Sequence, residues 1–252
     1  SRDEFAQIVG QENFVTFLNL MSSKTKSIEG KHPAKKELED LVQNVAMFSQ
    51  KISSFKNEEE KRDFLSLAVS QKNISPEILD YIAKSDASSI WIKKYVIKHP
   101  NTSIQTFEYF INLRNHDIDL EIARNQNVQP EILNLLVQSV NEQIKGEVAK
   151  NKNSTPEILT KLSTDFSAYV KYKVSSNPKT PPEVMRALFN DEDVGLFNIT
   201  AFAHNPNTPQ DILSLLVNDP DFNVKLAVAG NPSTSADILS ALYLEHKHNT
   251  SK

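Results

Sequence analysis

The chain contains no cysteine among its 252 residues, which excludes disulfides, thiolate metal ligands and cysteine nucleophiles. Glycine is scarce, at 5 residues, and this disfavours phosphate-cradling loops and tight hairpins. No apolar run approaches the roughly 18 residues that cross a bilayer, and no stretch has the pattern of a signal peptide. Membrane insertion is therefore not expected. The formal net charge of -4 argues against a strong general affinity for nucleic acid while leaving room for local basic ridges. Nucleotide-binding GxxxxGK, zinc-binding HExxH and nucleophile-elbow GxSxG motifs are missing. What remains is 39 % hydrophobic and 24 % charged residues, the composition of a folded, soluble chain. A cytoplasmic location is the favoured one.

Against these absences stands one strong presence, an internal repeat. A turn recurs seven times, as QKNISPEIL, HPNTSIQTF, NQNVQPEIL, NKNSTPEIL, NPKTPPEVM, NPNTPQDIL and NPSTSADIL. Its anchor residues Asn73, Asn101, Asn127, Asn153, Lys179, Asn207 and Ser233 are spaced 28, 26, 26, 26, 28 and 26 apart. A fixed period of this size is the signature of a stacked array.

Each turn carries a helix-start signal. In five copies a hydroxyl stands three residues before an acid or amide: Thr102 with Gln105, Ser154 with Glu157, Thr180 with Glu183, Thr208 with Asp211 and Thr234 with Asp237. That is the spacing of a capping box, and it puts Pro181 and Pro209 on the first helical position. The copies at Ile74 and Val128 lack the hydroxyl, so Ser75 and Asn127 are expected to cap there. Apolar residues then recur at helical spacing, as in Ile132, Leu133 and Leu136 or Ile158, Leu159 and Leu162. A second set precedes each turn, as in Ile118, Ile122 and Ala123, Ile144, Val148 and Ala149, and Val170, Val174 and Ser175. Asn198 is the polar exception. Each unit is thus a short helix, a loop and a second short helix. Such helices are marginal alone and gain stability by stacking, which predicts an all-α, curved α-solenoid of two-helix repeats with a period of 26–28 residues.

Asn125, Asn151, Asn177, Asn205 and Asn231 sit two residues before their anchors. Their side chains are expected to bond backbone groups of their own or the adjoining turn, forming a structural ladder.

The NPNTPxxIL turn, preceded by a segment such as Val224-Lys225-Leu226-Ala227-Val228-Ala229-Gly230-Asn231-Pro232, resembles the leucine-rich-repeat variant family. That resemblance, over about residues 64–245, implies a curved solenoid of paired helices, the second often 3₁₀. The units here are longer than that family's, which brings them closer to HEAT or armadillo geometry. The family's iron–sulphur example carries a cysteine cluster that this chain lacks, so the resemblance implies no cofactor and little beyond binding.

Residues 1–56 lack the turn and are expected to form a helical capping region, with one helix at Glu12–Met21 and a longer one at Pro33–Ile52 that presents Leu38, Leu41, Val42, Val45 and Ile52. The connection between them, Ser22–His32, is polar. Phe64, Ala68 and Val69 relate to Asn73 as second-helix residues relate to later anchors, so the repeat domain is assigned to residues 57–245. A disordered tail is expected at 246–252.

Little in the chain points to chemistry. The histidines His32, His99, His116, His204, His246 and His248 are scattered, and the loops Asp191-Glu192-Asp193 and Asp219-Pro220-Asp221 lack EF-hand spacing. No catalytic residue, metal site or cofactor is expected. A basic row stands out: Lys93, Lys145, Lys171 and Lys225 occupy one equivalent second-helix position, where Asp119 and Ile199 interrupt them. Lys98, Arg124 and Lys150 form a second row before the turn. Stacked repeats would align these charges; the plainer role is solubilising surface with apolar stems. Trp91 is the single aromatic singled out as a partner anchor, whereas Tyr95, Tyr172, Phe107 and Phe110 are assigned to differing, partly core roles. The chain is read as a non-catalytic scaffold or interaction module that holds a protein or peptide segment, acidic if it meets the lysines. Nucleic-acid binding along the basic ridge is the alternative.

Overall fold

The computed structural model describes residues 35–191 and 194–250, and side chains at 38–191, 194 and 199–244. The expected helix at Glu12–Met21, the connection after it and His32 lie outside these residues. Among the described residues the chain is all-α, with sixteen helices and no strand. Two compact units divide it, residues 1–113 and 114–252. Unit 1 holds α1 (Lys35–Leu41), α2 (Val45–Ser54), α3 (Glu58–Val69), α4 (Pro76–Lys84), α5 (Ile90–Lys98) and α6 (Ile104–Asn112). Unit 2 opens with α7 (His116–Arg124), α8 (Pro130–Leu136), α9 (Glu142–Lys150), α10 (Pro156–Ser163) and α11 (Ala168–Ser175). It continues with α12 (Pro182–Phe189), α13 (Gly195–His204), α14 (Gln210–Leu216), α15 (Phe222–Gly230) and α16 (Ala236–Thr250).

The repeat is visible in the packing. In unit 2 the second helices α7, α9, α11, α13 and α15 stack in sequence, each also touching a first helix beside it. Their shared core is the set of apolar faces spaced by the repeat: Ile144, Val148 and Ala149 are buried against their neighbours, as are Ile158, Leu159 and Leu162. The first helix begins three residues after the anchor in every copy. The two extra residues of the 28-residue units therefore fall between the start of the first helix and the next anchor, in longer helices; the connection is no longer than that of α8–α9.

Unit 1 has a different, aromatic end. Phe48 and Phe64 are buried, with ring centroids 5.4 Å apart, and Tyr81 meets Phe48 edge-on at 5.8 Å. The single helix expected over Pro33–Ile52 is broken into α1 and α2, because Asn44 adopts extended backbone and accepts a hydrogen bond from Met47 N at 3.1 Å. Val45 is consequently exposed, and Phe48 takes the core position instead.

The capping signal proves to be shifted by one residue. Ser75, Ser103 and Thr155 are the N-caps, accepting from Ile78 N, Thr106 N and Ile158 N. Pro181 and Pro209 are themselves N-caps, and the prolines at the first helical turn are Pro76, Pro130, Pro156 and Pro182. In the Val128 copy neither Asn127 nor any other side chain caps: Gln129 is the N-cap and makes no such bond. The hydroxyls one residue earlier face the other way. Ser154 donates to Val148 O at 2.5 Å, Thr208 to Phe202 O at 2.6 Å, and Thr102, Thr180 and Thr234 likewise to Val96, Val174 and Val228. Each thus gives a carbonyl in the last turns of the preceding second helix a side-chain donor, beside the C-cap N–H that Val96 O, Val148 O, Val174 O and Val228 O also accept. Ile74 and Val128 replace this hydroxyl with a fully buried aliphatic side chain.

The asparagines tie unit to unit. Asn151 Nδ2 donates to Ala123 O and Asn125 O at 2.8 and 2.9 Å, and Asn205 to Ser175 O and Asn177 O at 2.7 and 2.9 Å. Asn177 and Asn231 repeat the pattern. In each turn the Oδ1 atom accepts the N–H two residues on, as Lys179 N does to Asn177. In unit 1 His99 holds this place: its Nε2–H donates to Gln71 O at 3.2 Å, and Nδ1 accepts from Asn101 N at 3.1 Å. The imidazole is neutral in this arrangement, and burial pushes its pKa below the ordinary histidine value.

At the other end, α16 runs through Thr250, past the start of the tail expected at 246. No proline or glycine after Ala236 stops it.

Candidate binding surface

The solvent side of the second helices in unit 2 gathers the side chains best suited to contact a partner. On α9, Gly146 is buried because the Tyr169 ring of α11 lies over it; a Cβ built there would fall 2.2 Å from Tyr169 Cε1. The absence of a side chain at Gly146 is what lets the ring approach the neighbouring repeat so closely. Beside it, Arg124 Nη2 donates to Glu147 Oε1 at 3.3 Å, and Lys150 Nζ stands 4.0 Å from the same carboxylate. Partial burial raises the Tyr169 pKa, with Glu147 adding to the rise and Arg124 opposing it.

Tyr169 and Tyr172 remain 38 % and 36 % exposed, and the ammonium of Lys173 lies 5.2 and 5.0 Å from their ring centroids. Tyr172 also lines a notch of about 340 Å³ between α11 and α13, with Ser176, Thr200, His204 and Pro206. His204 Nδ1–H donates to Thr200 O at 2.8 Å, which leaves Nε2 as the ring's remaining polar atom. The notch can hold one side chain and offer it hydroxyl and imidazole hydrogen bonds. Tyrosine suits such a contact because it has a broad apolar face, a polar tip and few rotamers to lose.

The basic row reads differently in three dimensions. Lys145 pairs with Asp165, their side chains 16 % and 13 % exposed. Lys171 is buried and pairs with Asp191 at 2.6 Å. Both aspartates belong to the next repeat's interhelical loop, so these lysines stitch repeats together and do not project a positive stripe. Lys93 and Lys225 are half-buried. Asp119 shares the row; its Oδ1 is buried without a hydrogen-bond partner, and burial raises its pKa to about 6. In the second row Arg124 and Lys150 are exposed and share Glu147, while Lys98, in unit 1, is half-buried. Across α7, α9 and α11, Asp117, Asp119, Glu121, Glu142 and Glu147 offset Arg124, Lys145, Lys150, Lys171 and Lys173.

Trp91 is half-buried, with Lys94 Nζ 5.6 Å from its ring. Phe107 and Phe110 are core residues. Sequence reasoning missed Tyr169 and the placement of Tyr172. The signal was the glycine at 146, whose equivalent on α7 is Leu120 and on α11 is Tyr172, just one repeat before an aromatic three residues from another. The interhelical loops add Val140 and Phe166, equivalent in register and fully exposed.

No family model, curated protein or solved structure matches the chain. Its all-helical repeat arrangement is that of α-solenoid proteins generally. Among the described residues no group of three or more histidine, aspartate or glutamate side chains could hold a metal ion, and no helix is long and apolar enough to cross a membrane.

Proposed function

We propose that the chain is a non-catalytic interaction module that holds a segment of another protein against the second-helix surface of unit 2. The observation that carries this reading is the half-exposed pair Tyr169 and Tyr172, both beside Lys173, the first seated over Gly146 and the second lining the notch. Aromatic anchors beside a pocket are the usual centre of a protein contact. The stacking of second helices on second helices also supports the finer solenoid reading, with these helices on the inner side of a bend. The balanced charges favour a segment without a strong net charge, and the pairing of Lys145 and Lys171 speaks against a phosphate backbone as the ligand.

The experiment is to pan a displayed random-peptide library on the full chain and synthesise the consensus peptide. Tyr172→Ala is expected to weaken that peptide more than tenfold while thermal unfolding stays unchanged. A consensus insensitive to Tyr172→Ala and Tyr169→Ala removes this surface from the reading. Binding of a DNA duplex that falls steeply with salt, and is lost when Lys93, Lys94 and Lys98 are neutralised, would favour the nucleic-acid alternative.

A further inference from the structure

Unit 1 carries a groove of about 760 Å³ along the solvent side of α4, and it shares no residue with the tyrosine surface of unit 2. Side chains four apart on a helix form one row, and two rows of α4 line the groove. Pro76, Asp80 and Lys84 make the first, and its charges are already matched. Asp80 Oδ2 accepts from Lys84 Nζ at 2.7 Å, and Oδ1 accepts from the buried Thr106 of α6 at 3.2 Å. The same ammonium lies 5.6 Å from the Tyr109 ring centroid. Glu77, Tyr81 and Ser85 make the second row, and Asp86 follows it. Among the described residues no ion pair or hydrogen bond engages the carboxylate of Glu77 or of Asp86. The apolar part of the groove is the Tyr81 ring, held edge-on against Phe48 at 5.8 Å, together with Val45 of α2, which is 39 % exposed.

We infer that this groove takes an extended segment of a partner protein that carries two basic side chains four residues apart and an apolar one midway between them. Charge selects the ends of that segment. Three carboxylates and one ammonium line the groove, and with Lys84 committed to Asp80 the other two negative charges have no counterpart within it. Spacing selects the pattern. Glu77 and Asp86 stand nine positions apart along α4 and just past its end, which at the helical rise is about 13 Å. An extended chain advances roughly 3.3 Å per residue and turns alternate side chains to one face. Residues one, three and five of the segment therefore cover the same length: the outer two meet Glu77 and Asp86, and the middle one lies on Tyr81 and Val45. Lys84 shows the chemistry at work on this surface, since its ammonium is already seated between a carboxylate and a tyrosine ring. Arginine suits the ends because its planar fork meets a carboxylate with two hydrogen bonds. A phosphate backbone would be repelled by the same carboxylates. The site rests on unit 1 alone and does not depend on the role given to Tyr172.

The test titrates the full chain into the fluorescein-labelled peptide GRSLSRG at low ionic strength and follows anisotropy. Saturable binding is expected. It should weaken at least fivefold with Glu77→Gln and Asp86→Asn together, and at least fivefold when the peptide is reordered to GRRLSSG or its leucine is replaced by serine. Both chain substitutions keep the shape of exposed side chains, and an unchanged thermal midpoint shows that the fold is intact. Glu108→Gln removes an exposed carboxylate of α6 outside the groove, and Tyr172→Ala alters the surface of unit 2; neither should change the binding. Absence of saturable binding, an equal loss with Glu108→Gln, or indifference to the double variant or to the order of the peptide overturns the inference. So do two results that name another occupant. Tighter peptide binding after Lys24→Gln, Lys26→Gln and Lys31→Gln together would give the groove to the chain's own basic stretch. A dimer of the chain alone in sedimentation equilibrium that the Glu77→Gln and Asp86→Asn pair dissolves would give it to a second copy.

Discussion

Asn177 reaches back 28 residues to donate its side-chain amide to Ala149 O at 2.6 Å. The same amide also donates to Asn151 O, and its Oδ1 accepts from Lys179 N, so one buried side chain satisfies three backbone groups in two repeats. The apolar faces could slide along one another at little cost, whereas this bond set fixes register between units.

Asn177→Ala should therefore destabilise unit 2 well beyond the loss of one average hydrogen bond. Ala149 O would lose its donor and Lys179 N its acceptor, which costs about 1–3 kcal/mol each when nothing replaces it, while Asn151 O keeps the Ser154 N–H. Urea unfolding should show a drop of roughly 2–4 kcal/mol; a change below about 0.5 kcal/mol would mean that water takes over the ladder.

His99 makes the equivalent link in unit 1 pH-sensitive. Its folded pKa is lowered from the ordinary value of 6.5, chiefly by burial. The unfolded chain thus takes up the proton first, and stability is complete above pH 6.5 and declines as pH falls below it. A protonated Nδ1 would also oppose the Asn101 N–H. His99→Asn is expected to keep the ladder and flatten the decline in unfolding midpoint between about pH 7 and pH 5. An equal decline in both proteins would place the sensitive group elsewhere.

Asp119 behaves in the opposite sense. Its pKa is raised from 3.8 to about 6, mainly by burial, with His116 acting against the rise. A group with a raised folded pKa favours folding below its unfolded value and loses that contribution as pH climbs through about 6. Asp119→Asn should stabilise the protein at pH 7 by about 1 kcal/mol, allowing for partial exposure, and hardly at all at pH 4. Equal effects at both pH values would assign the gain to something other than the buried carboxylate.

Gly146→Ala probes the binding surface without touching a partner. The added methyl would lie 2.2 Å from Tyr169 Cε1, so the half-exposed ring must swing outward. Helix propensity gains up to about 1 kcal/mol and offsets the lost contact. Thermal stability should change little, while affinity for the selected peptide falls about tenfold in the manner of a displaced anchor. Unaltered affinity would show that the ring's position is immaterial.

The period, the helix pairs and most of the core were legible in the residue order, because the aliphatic faces recur at helical spacing and the turn carries its own punctuation. Leu159 and Val148 could be placed from spacing alone, and both are fully buried. Where each polar group points came from the packing of neighbouring repeats. Thr208 and Ser154 carry a good capping pattern, yet their hydroxyls meet carbonyls six residues earlier, since that partner appears only once the preceding helix has ended beside them. Lys171 shares a row with Lys225 in sequence, but Asp191 of the following loop claims it. Tyr172 became a surface residue because the helix carrying it is seated by Val170 and Val174, and the register of that seat turns the ring outward. Burial is dictated by local periodicity, while the direction of a polar or aromatic side chain depends on which neighbour the stack brings within reach.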